Sequence, residues 1–388
     1  SSDGEVGCPP CLVTQGHGLV TCQDLTPPTC QDLTPPTCQD LTPPLTPADL
    51  DLKIVAKRNL TIITYHFVRD QARSRFPGIK ARTPDTFGAQ LEYILGRYTV
   101  IRMEDLFRAL ADRTEDLPRG SLLLTFDDGY REHFTHVFPI LQTAGVQGSF
   151  FPCGRAVMER AVLDVNKIHF ILAAVKDHSR IISSIFAALD EMRPRSDLRD
   201  NREYYRELAV PGRFDTGEVI FIKRMLQRAL PEHIRGAITD RLFREHVTAD
   251  EEGFADELYM SAEQLKHMKE AGMFIGSHGW DHRWMDTLPQ GEQEREIDLS
   301  VDMLRVVGVS ERELVMCYPY GAYSGPLIDI LKTRGFRCGL SVDLGIADLD
   351  RDDPFALKRL DTNDLPVSAG EPPREWTGPA AQEEGKSP

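Results

Sequence analysis

Apolar and polar positions along the middle of the chain alternate in a rhythm of short strands and longer helices. The run "LTIITYHFV" (60–68) is apolar and β-branched throughout, which predicts a buried strand. In "TPDTFGAQLEYILGRY" (83–98) the period changes. Thr83 is placed to cap, Pro84 suits a first turn, and Phe87, Leu91 and Ile94 recur at helical spacing. "YTVIRM" predicts a short strand and "EDLFRALAD" a helix. "SLLLTFDDGY" (121–130) predicts a second buried strand, ending in two acids and a glycine. "REHFTHVFPILQTAG" predicts a helix closed by Gly145, and "VQGSFFPC" the next strand.

The rhythm resumes at "MSAEQLKHMKEAG" (260–272), a helix with Ser261 and Gln264 as a capping box and Gly272 as its stop. "MFIGS" (273–277) predicts a strand, "QEREIDLSVDMLRVVG" a helix, and "ELVMCYPYG" (313–321) the end of a strand. "GPLIDILKTRG" and "RCGLSV" add one more helix and strand. Alternation of this kind predicts an α/β fold with mostly parallel strands. Residues 155–255 break it with long helical stretches, including "NKIHFILAAVKDHSRIISSIFAALDEM", and read as a helical insertion within the same domain.

The ends of the chain differ from its middle. Residues 21–44 are three identical copies of "TCQDLTPP", each ending in Pro-Pro and holding one leucine. Such a unit blocks helix and interior strand and cannot bury a core. Residues 1–50 are therefore expected to be a disordered tail, 51–365 one domain, and 366–388 a second disordered tail. Cys8 and Cys11 make half a zinc site, and the repeat cysteines lack the spacing for the other half, so no zinc is expected there.

Composition narrows the classes. Of 388 residues, 41% are hydrophobic, enough for a sizeable core. Sixty acids against 45 bases give a formal charge of -15, which argues against a nucleic-acid partner and a polybasic membrane patch. No run is long and apolar enough to be a transmembrane segment. Residues 1–30 show no leader pattern, which favours a cytoplasmic location, while a leader upstream of Ser1 stays open. Beyond the first forty residues only Cys153, Cys317 and Cys338 occur, as in a reduced-compartment protein.

Chemistry collects where strands end, which is where parallel sheets bind ligands. Asp127 and Asp128 follow "LLLTF", His278 follows "MFIGS", and Tyr320 follows "LVMCYP". Two adjacent carboxylates at a buried strand end repel unless a cation or a proton neutralises them. The bland alternative is a solvated Asp-Gly turn. "SHGWDH" (277–282) sets His278 and His282 four apart across Gly279, which rules out the helical zinc-protease pattern. Alone, the pair is equally two surface histidines in a turn. Joined by one aspartate it becomes a catalytic metal set with open positions, leaving the second aspartate as a base. A Pro-Tyr-Gly turn can aim a backbone N–H at an oxyanion, or be no more than a tight turn. Trp280 and Trp284 either stack on a sugar or pack in the core. His133 and His136 read as surface or packing residues, and Asn166 and His169 share a helix face.

"TFDDGY" (125–130), "SHGWDH" (277–282) and "YPYG" (318–321), in this order, resemble the NodB-homology polysaccharide deacetylases, carbohydrate esterase family four. The "YPYG" form, with "TYHFV" (64–68) as a first barrel strand, is similar to one subset of that family. The resemblance implies a distorted, incomplete (β/α) barrel with a helical insertion. It implies hydrolytic removal of N-acetyl, or O-acetyl, groups from an acetylated carbohydrate substrate. It implies Asp127 as base, Asp128, His278 and His282 as ligands of a divalent metal, usually Zn2+, and the Tyr320 N–H in an oxyanion hole.

Two departures stand out. Cys317 occupies the region where many members place an arginine that orients the base, and Arg359 in "LKRLD" is the candidate replacement. No histidine follows His282, so the late Leu-x-His acid is missing, and His66 is the candidate for an acid or substrate-facing role, the alternative being a satisfied core histidine. The alternatives are hydrolysis of a non-peptide C–N bond in a non-sugar substrate, and a catalytically silent carbohydrate-binding relative. An iron oxygenase uses a similar two-histidine, one-carboxylate set, but the second aspartate speaks against it.

Overall fold

The computed structural model describes residues 58–368, 370–372 and 374. The octet repeats, the Cys8–Cys11 pair and the tail from residue 375 onward lie outside the described residues. The strands are β1 (Asn59–Tyr65), β2 (Thr99–Val100), β3 (Ser121–Asp128), β4 (Ser149–Pro152), β5 (Phe274–Ile275), β6 (Val315–Cys317), β7 (Cys338–Leu344), β8 (Ala347–Asp348) and β9 (Leu357–Asp361). Their order is β5-β4-β3-β1-β9-β7-β6, and each neighbouring pair on this path is parallel. Just past β5, Ser277 bridges Met316 of β6 in parallel, so the curled sheet meets itself through one residue pair. This is an incomplete, distorted (β/α) barrel, thinnest at the β5–β6 seam. Short β2 adds to β3, and antiparallel β8 adds to β1.

Strand periodicity divides the apolar residues between two faces. Leu60 and Ile62 of β1, Leu123 of β3 and Leu340 of β7 fill the interior, with Met103 and Leu106 of α2 (Met103–Ala111) packed beneath them. Ile63, Tyr65, Leu122, Leu124 and Phe126 face outward against Phe87 and Leu91 of α1 (Pro84–Leu95). All eight residues of β3 are buried, which is why that strand reads as one unbroken apolar run. The inward alternation carries Thr64, Thr125, Asp127, Cys317 and Arg359 to the carboxyl end of the interior. There polar groups replace aliphatic ones.

Helix ends follow the sequence signals. Thr83 accepts a hydrogen bond from Thr86 N–H, and Ser261 and Gln264 cap reciprocally. The helix expected over 131–145 opens instead with a π-type turn (His133–Val137) before α3 (Phe138–Ala144). Pro139, which lacks an N–H, sits just inside α3. The expected insertion contains α4 (Gly154–Glu159), α5 (Asp164–Ala174), α6 (His178–Met192), α7 (Asn201–Leu208), α8 (Gly217–Arg224), α9 (Glu232–His246) and α10 (Glu251–Leu258). Ile168, Ile181, Phe221 and Phe243 from these helices form a separate core that reaches the barrel rim at Phe67 and Tyr130. The chain returns through α11 (Ala262–Glu270), α12 (Gln290–Val306) and α13 (Gly325–Thr333). The packed unit continues past residue 365, because Gln90 Nε2 donates to the Pro366 carbonyl at 3.2 Å. Among the described residues no helix is long and apolar enough to cross a membrane.

Candidate active site

Asp127, next to last in β3, is buried and tied to protein groups on both oxygens. Arg359 on β9 grips it with two nitrogens, Nη1 to Oδ1 at 3.0 Å and Nη2 to Oδ2 at 2.9 Å. Thr64 Oγ1 donates to Oδ2 at 3.1 Å, and the Cys317 thiol donates to Oδ1 at 3.4 Å. Burial works to raise the Asp127 pKa, but the Arg359 charge, with His278 and His66, outweighs it and holds the carboxyl well below its ordinary range. Arg359 is itself fixed, its Nε donating to the Ser341 carbonyl at 2.8 Å.

Asp128 points elsewhere. Its φ of 70° is left-handed, a rare state for a residue with a Cβ, and it turns the side chain away from that of Asp127. Gly129 follows with φ 73°, and a Cβ there would lie 2.7 Å from Pro152 Cβ, so only glycine fits. Asp128 Oδ2 accepts from Tyr130 Oη at 2.5 Å. Its Oδ1 is buried without a hydrogen-bond partner. The Nε2 atoms of His278 and His282 each stand 3.4 Å from that oxygen.

These distances discriminate between two chemistries. Charge-assisted N–H···O bonds run at about 2.7–2.9 Å, so 3.4 Å is long for one. Ligand atoms about 2.0–2.2 Å from a shared tetrahedral cation lie about 3.3–3.6 Å apart, which fits. His278 Nδ1 donates to the Cys317 carbonyl at 2.7 Å, which directs the Nε2 lone pair at the gap. Burial pushes the His282 pKa down, against the pull of the Asp128 carboxylate. His282 also has a left-handed φ, of 51°. The loop between the histidines is pinned by Glu296, whose Oε2 accepts from the N–H groups of Trp280 and Asp281 at 3.1 and 3.0 Å. Three buried ligand atoms thus converge on one point beside an independently held carboxylate.

A sequence profile described as "Polysaccharide deacetylase" matches residues 114–208 and 238–339, just over half of the chain, and spans every one of these groups except His66, Thr64, Ser341 and Arg359. The chain belongs to the polysaccharide deacetylase family. It is therefore a deacetylase-type hydrolase acting on carbon–nitrogen bonds, and an acetylated carbohydrate is the implied substrate. No curated protein matches the chain. Among solved structures, the Streptococcus pyogenes deacetylase PplD in complex with acetate is 16% identical, with a TM-score of 0.47 over 85% of this chain and 99% of that one. IcaB from Ammonifex degensii is 19% identical, with a TM-score of 0.46 over 78% and 91%. The BpsB deacetylase domain from Bordetella bronchiseptica is 16% identical, with a TM-score of 0.46 over 79% and 96%.

The remaining site residues of this deacetylase fall into two groups. Tyr320, φ 57°, is the third non-glycine residue here with a left-handed backbone, and its ring meets His282 edge-on at 4.5 Å. His66 directly follows β1, is exposed, and lies close enough to Asp127 and Asp128 to lower both pKa values. Its carbonyl accepts from His133 Nε2 at 2.7 Å. His133 is thus a buried prop for the His66 backbone rather than a surface residue. Trp284 stacks on Tyr320 at 4.4 Å with Arg228 over its ring at 4.5 Å, and Trp280 lies against Gly154. Both indoles are engaged in packing. Sequence reasoning passed over Glu296, Thr64 and Tyr130, because each looks like an ordinary helix, strand or turn residue until the fold brings it in.

Proposed function

We propose that this deacetylase hydrolyses the N-acetyl group of an acetylated carbohydrate with the help of a divalent cation held by Asp128, His278 and His282. The observation that carries the reading is the partnerless Asp128 oxygen with both histidine nitrogens at 3.4 Å. Two nitrogens and one oxygen suit Zn2+, which leaves a position open for chemistry. Bound there, the cation would polarise the acetyl carbonyl and lower the pKa of a water.

Each protein group then has one task. Asp127, kept ionised by Arg359, accepts the proton of the attacking water. The Tyr320 N–H, set by its left-handed backbone, donates to the carbonyl oxygen as that oxygen gains charge. His66, exposed at the rim, donates a proton to the departing amine nitrogen. This assignment answers the lack of any histidine after His282. The buried Asp127–Arg359 pair, fully formed, favours an active enzyme over a silent relative.

The test couples uptake to turnover. The parent is expected to bind Zn2+ stoichiometrically and to release acetate from N-acetylated chitooligosaccharides. Asp128→Ala is expected to lose the ion, and Asp127→Asn to keep it while acetate release drops about 10²–10⁴-fold. A parent that takes up no more Zn2+ than Asp128→Ala sinks the proposal. Zn2+ uptake without acetate release from any sugar moves the reading to a non-sugar C–N substrate.

A further inference from the structure

Asp128 is reached from the insertion by an unbroken line of buried hydrogen bonds. The Leu163 N–H donates to Tyr259 Oη at 3.1 Å. Tyr259 Oη donates to Asn166 Oδ1. Asn166 Nδ2 donates to Tyr130 Oη at 2.7 Å, and Tyr130 Oη donates to Asp128 Oδ2 at 2.5 Å. Asn166 and Tyr130 are fully buried, and Tyr259 is nearly so.

The ends of this line fix its direction. A backbone N–H can only donate, so the Tyr259 proton must go onward to the Asn166 oxygen. A carboxylate can only accept, so the Tyr130 proton must go to Asp128 and the tyrosine oxygen must accept from Asn166. The Asn166 amide therefore has one permitted orientation, and every proton in the line points toward Asp128. Bonds aligned in this way polarise one another in a low-dielectric interior. All the support is neutral, so it holds Asp128 Oδ2 in place without consuming the carboxylate's charge.

We propose that Asn166, on the insertion helix α5, is a positioning residue for Asp128 that tunes cation affinity through Tyr130. The proposal rests on the reading of Asp128 as a ligand. It gives the insertion a role in the chemistry besides covering the barrel. Asn166→Asp keeps the shape and reverses the polarity. An ionised carboxylate in place of the amide cannot donate to Tyr130, and it competes with Asp128 for the single tyrosine proton.

The experiment is titration of the full chain with Co2+ and Zn2+, read by calorimetry and by the visible ligand-field bands of the cobalt form. Asn166→Asp is expected to weaken both ions about 10–100-fold and to shift the cobalt bands. Tyr130→Phe is expected to weaken them comparably. In Tyr130→Phe/Asn166→Asp the second change is expected to add less than about 2-fold, because the link is already cut. A merely structural asparagine would instead give additive losses and unshifted bands, and that result overturns the proposal. Should Asn166→Asp not fold, Tyr259→Phe carries the test. A loss of at least about 3-fold is expected, and unchanged affinity overturns it. A parent that binds neither ion removes the ligand reading and this inference together. A parent that binds while all variants bind equally removes this inference alone.

Discussion

The barrel and the helical insertion each deliver polar support to one of two adjacent aspartates, by different means. The barrel holds Asp127 with a buried guanidinium, two bonds and a full opposite charge. Asp128 is held by the Tyr130 hydroxyl at the barrel rim with the insertion's Asn166 amide behind it, all neutral. The difference decides what each carboxylate has left to offer. Asp127 is electrically balanced by protein and needs no cation. Asp128 keeps its negative charge and one bare oxygen, which a cation held as proposed would use. Neighbours in sequence are thus sent to separate tasks by the φ of 70° at Asp128 and by the regions they face.

Cutting the charged support should do the most damage. Arg359→Met leaves Asp127 buried with no cationic partner. Loss of one member of a buried pair costs about 3–5 kcal/mol, so a fall in Tm and in urea midpoint of that size is expected. The pH response should also change sign. In the parent, the depressed Asp127 pKa adds stability at neutral pH that is lost as the carboxyl is protonated in acid. In Arg359→Met, burial dominates and raises that pKa, so this term gains stability as pH falls. A variant that loses little and keeps the parent's acid profile would show that Thr64 and solvent hold Asp127 unaided.

The insertion offers a carboxyl with the opposite sign already in place. Asp164 opens α5, and burial pushes its pKa up to about 6, with Lys167 opposing and Asp281 and Asp240 adding to the rise. Its ordinary value is 3.8, so the folded chain binds this proton more tightly than the unfolded one. Its ionisation therefore destabilises the fold as pH rises through about 6, and the penalty vanishes below about 4. Asp164→Asn mimics the protonated form. It should exceed the parent by about 1–2 kcal/mol at pH 8, a figure reduced for partial exposure, and match it at pH 4. Unfolding curves across this range check it, and a variant no more stable at pH 8 would remove the contrast between the two regions.

The parallel strands and the three motifs were legible in the sequence because burial on both faces writes a continuous apolar run, and because Asp-Asp-Gly and His-Gly-x-x-His are unusual at strand ends. Arg359 was legible only as a guess: "LKRLD" looks like any amphipathic strand, and its partner lies 232 residues away. Asn166 was placed on a helix face, but its direction toward Tyr130 depends on how α5 packs on the rim. The π-type turn at His133–Val137 left no mark beyond Pro139. The choice for His133 between surface and packing stayed open for the same reason. Burial of a single histidine is set by tertiary packing, and no local pattern records it.

Cys317 should matter least, and that sharpens the account of Asp127. Its thiol is buried, its pKa is raised chiefly by that burial, and its contact with Asp127 Oδ1 is 3.4 Å from a weak donor. Arg359 already supplies a bond to the same oxygen at 3.0 Å. The Cys317 carbonyl that anchors His278 belongs to the backbone and survives any side-chain change. Cys317→Ala is therefore expected to cost about 1 kcal/mol or less and to change acetate release less than about 3-fold. Measured beside Arg359→Met, it separates two ways of orienting a base. Should the alanine variant lose as much as the methionine one, the thiol would be holding Asp127, and the guanidinium would be reduced to a counter-charge.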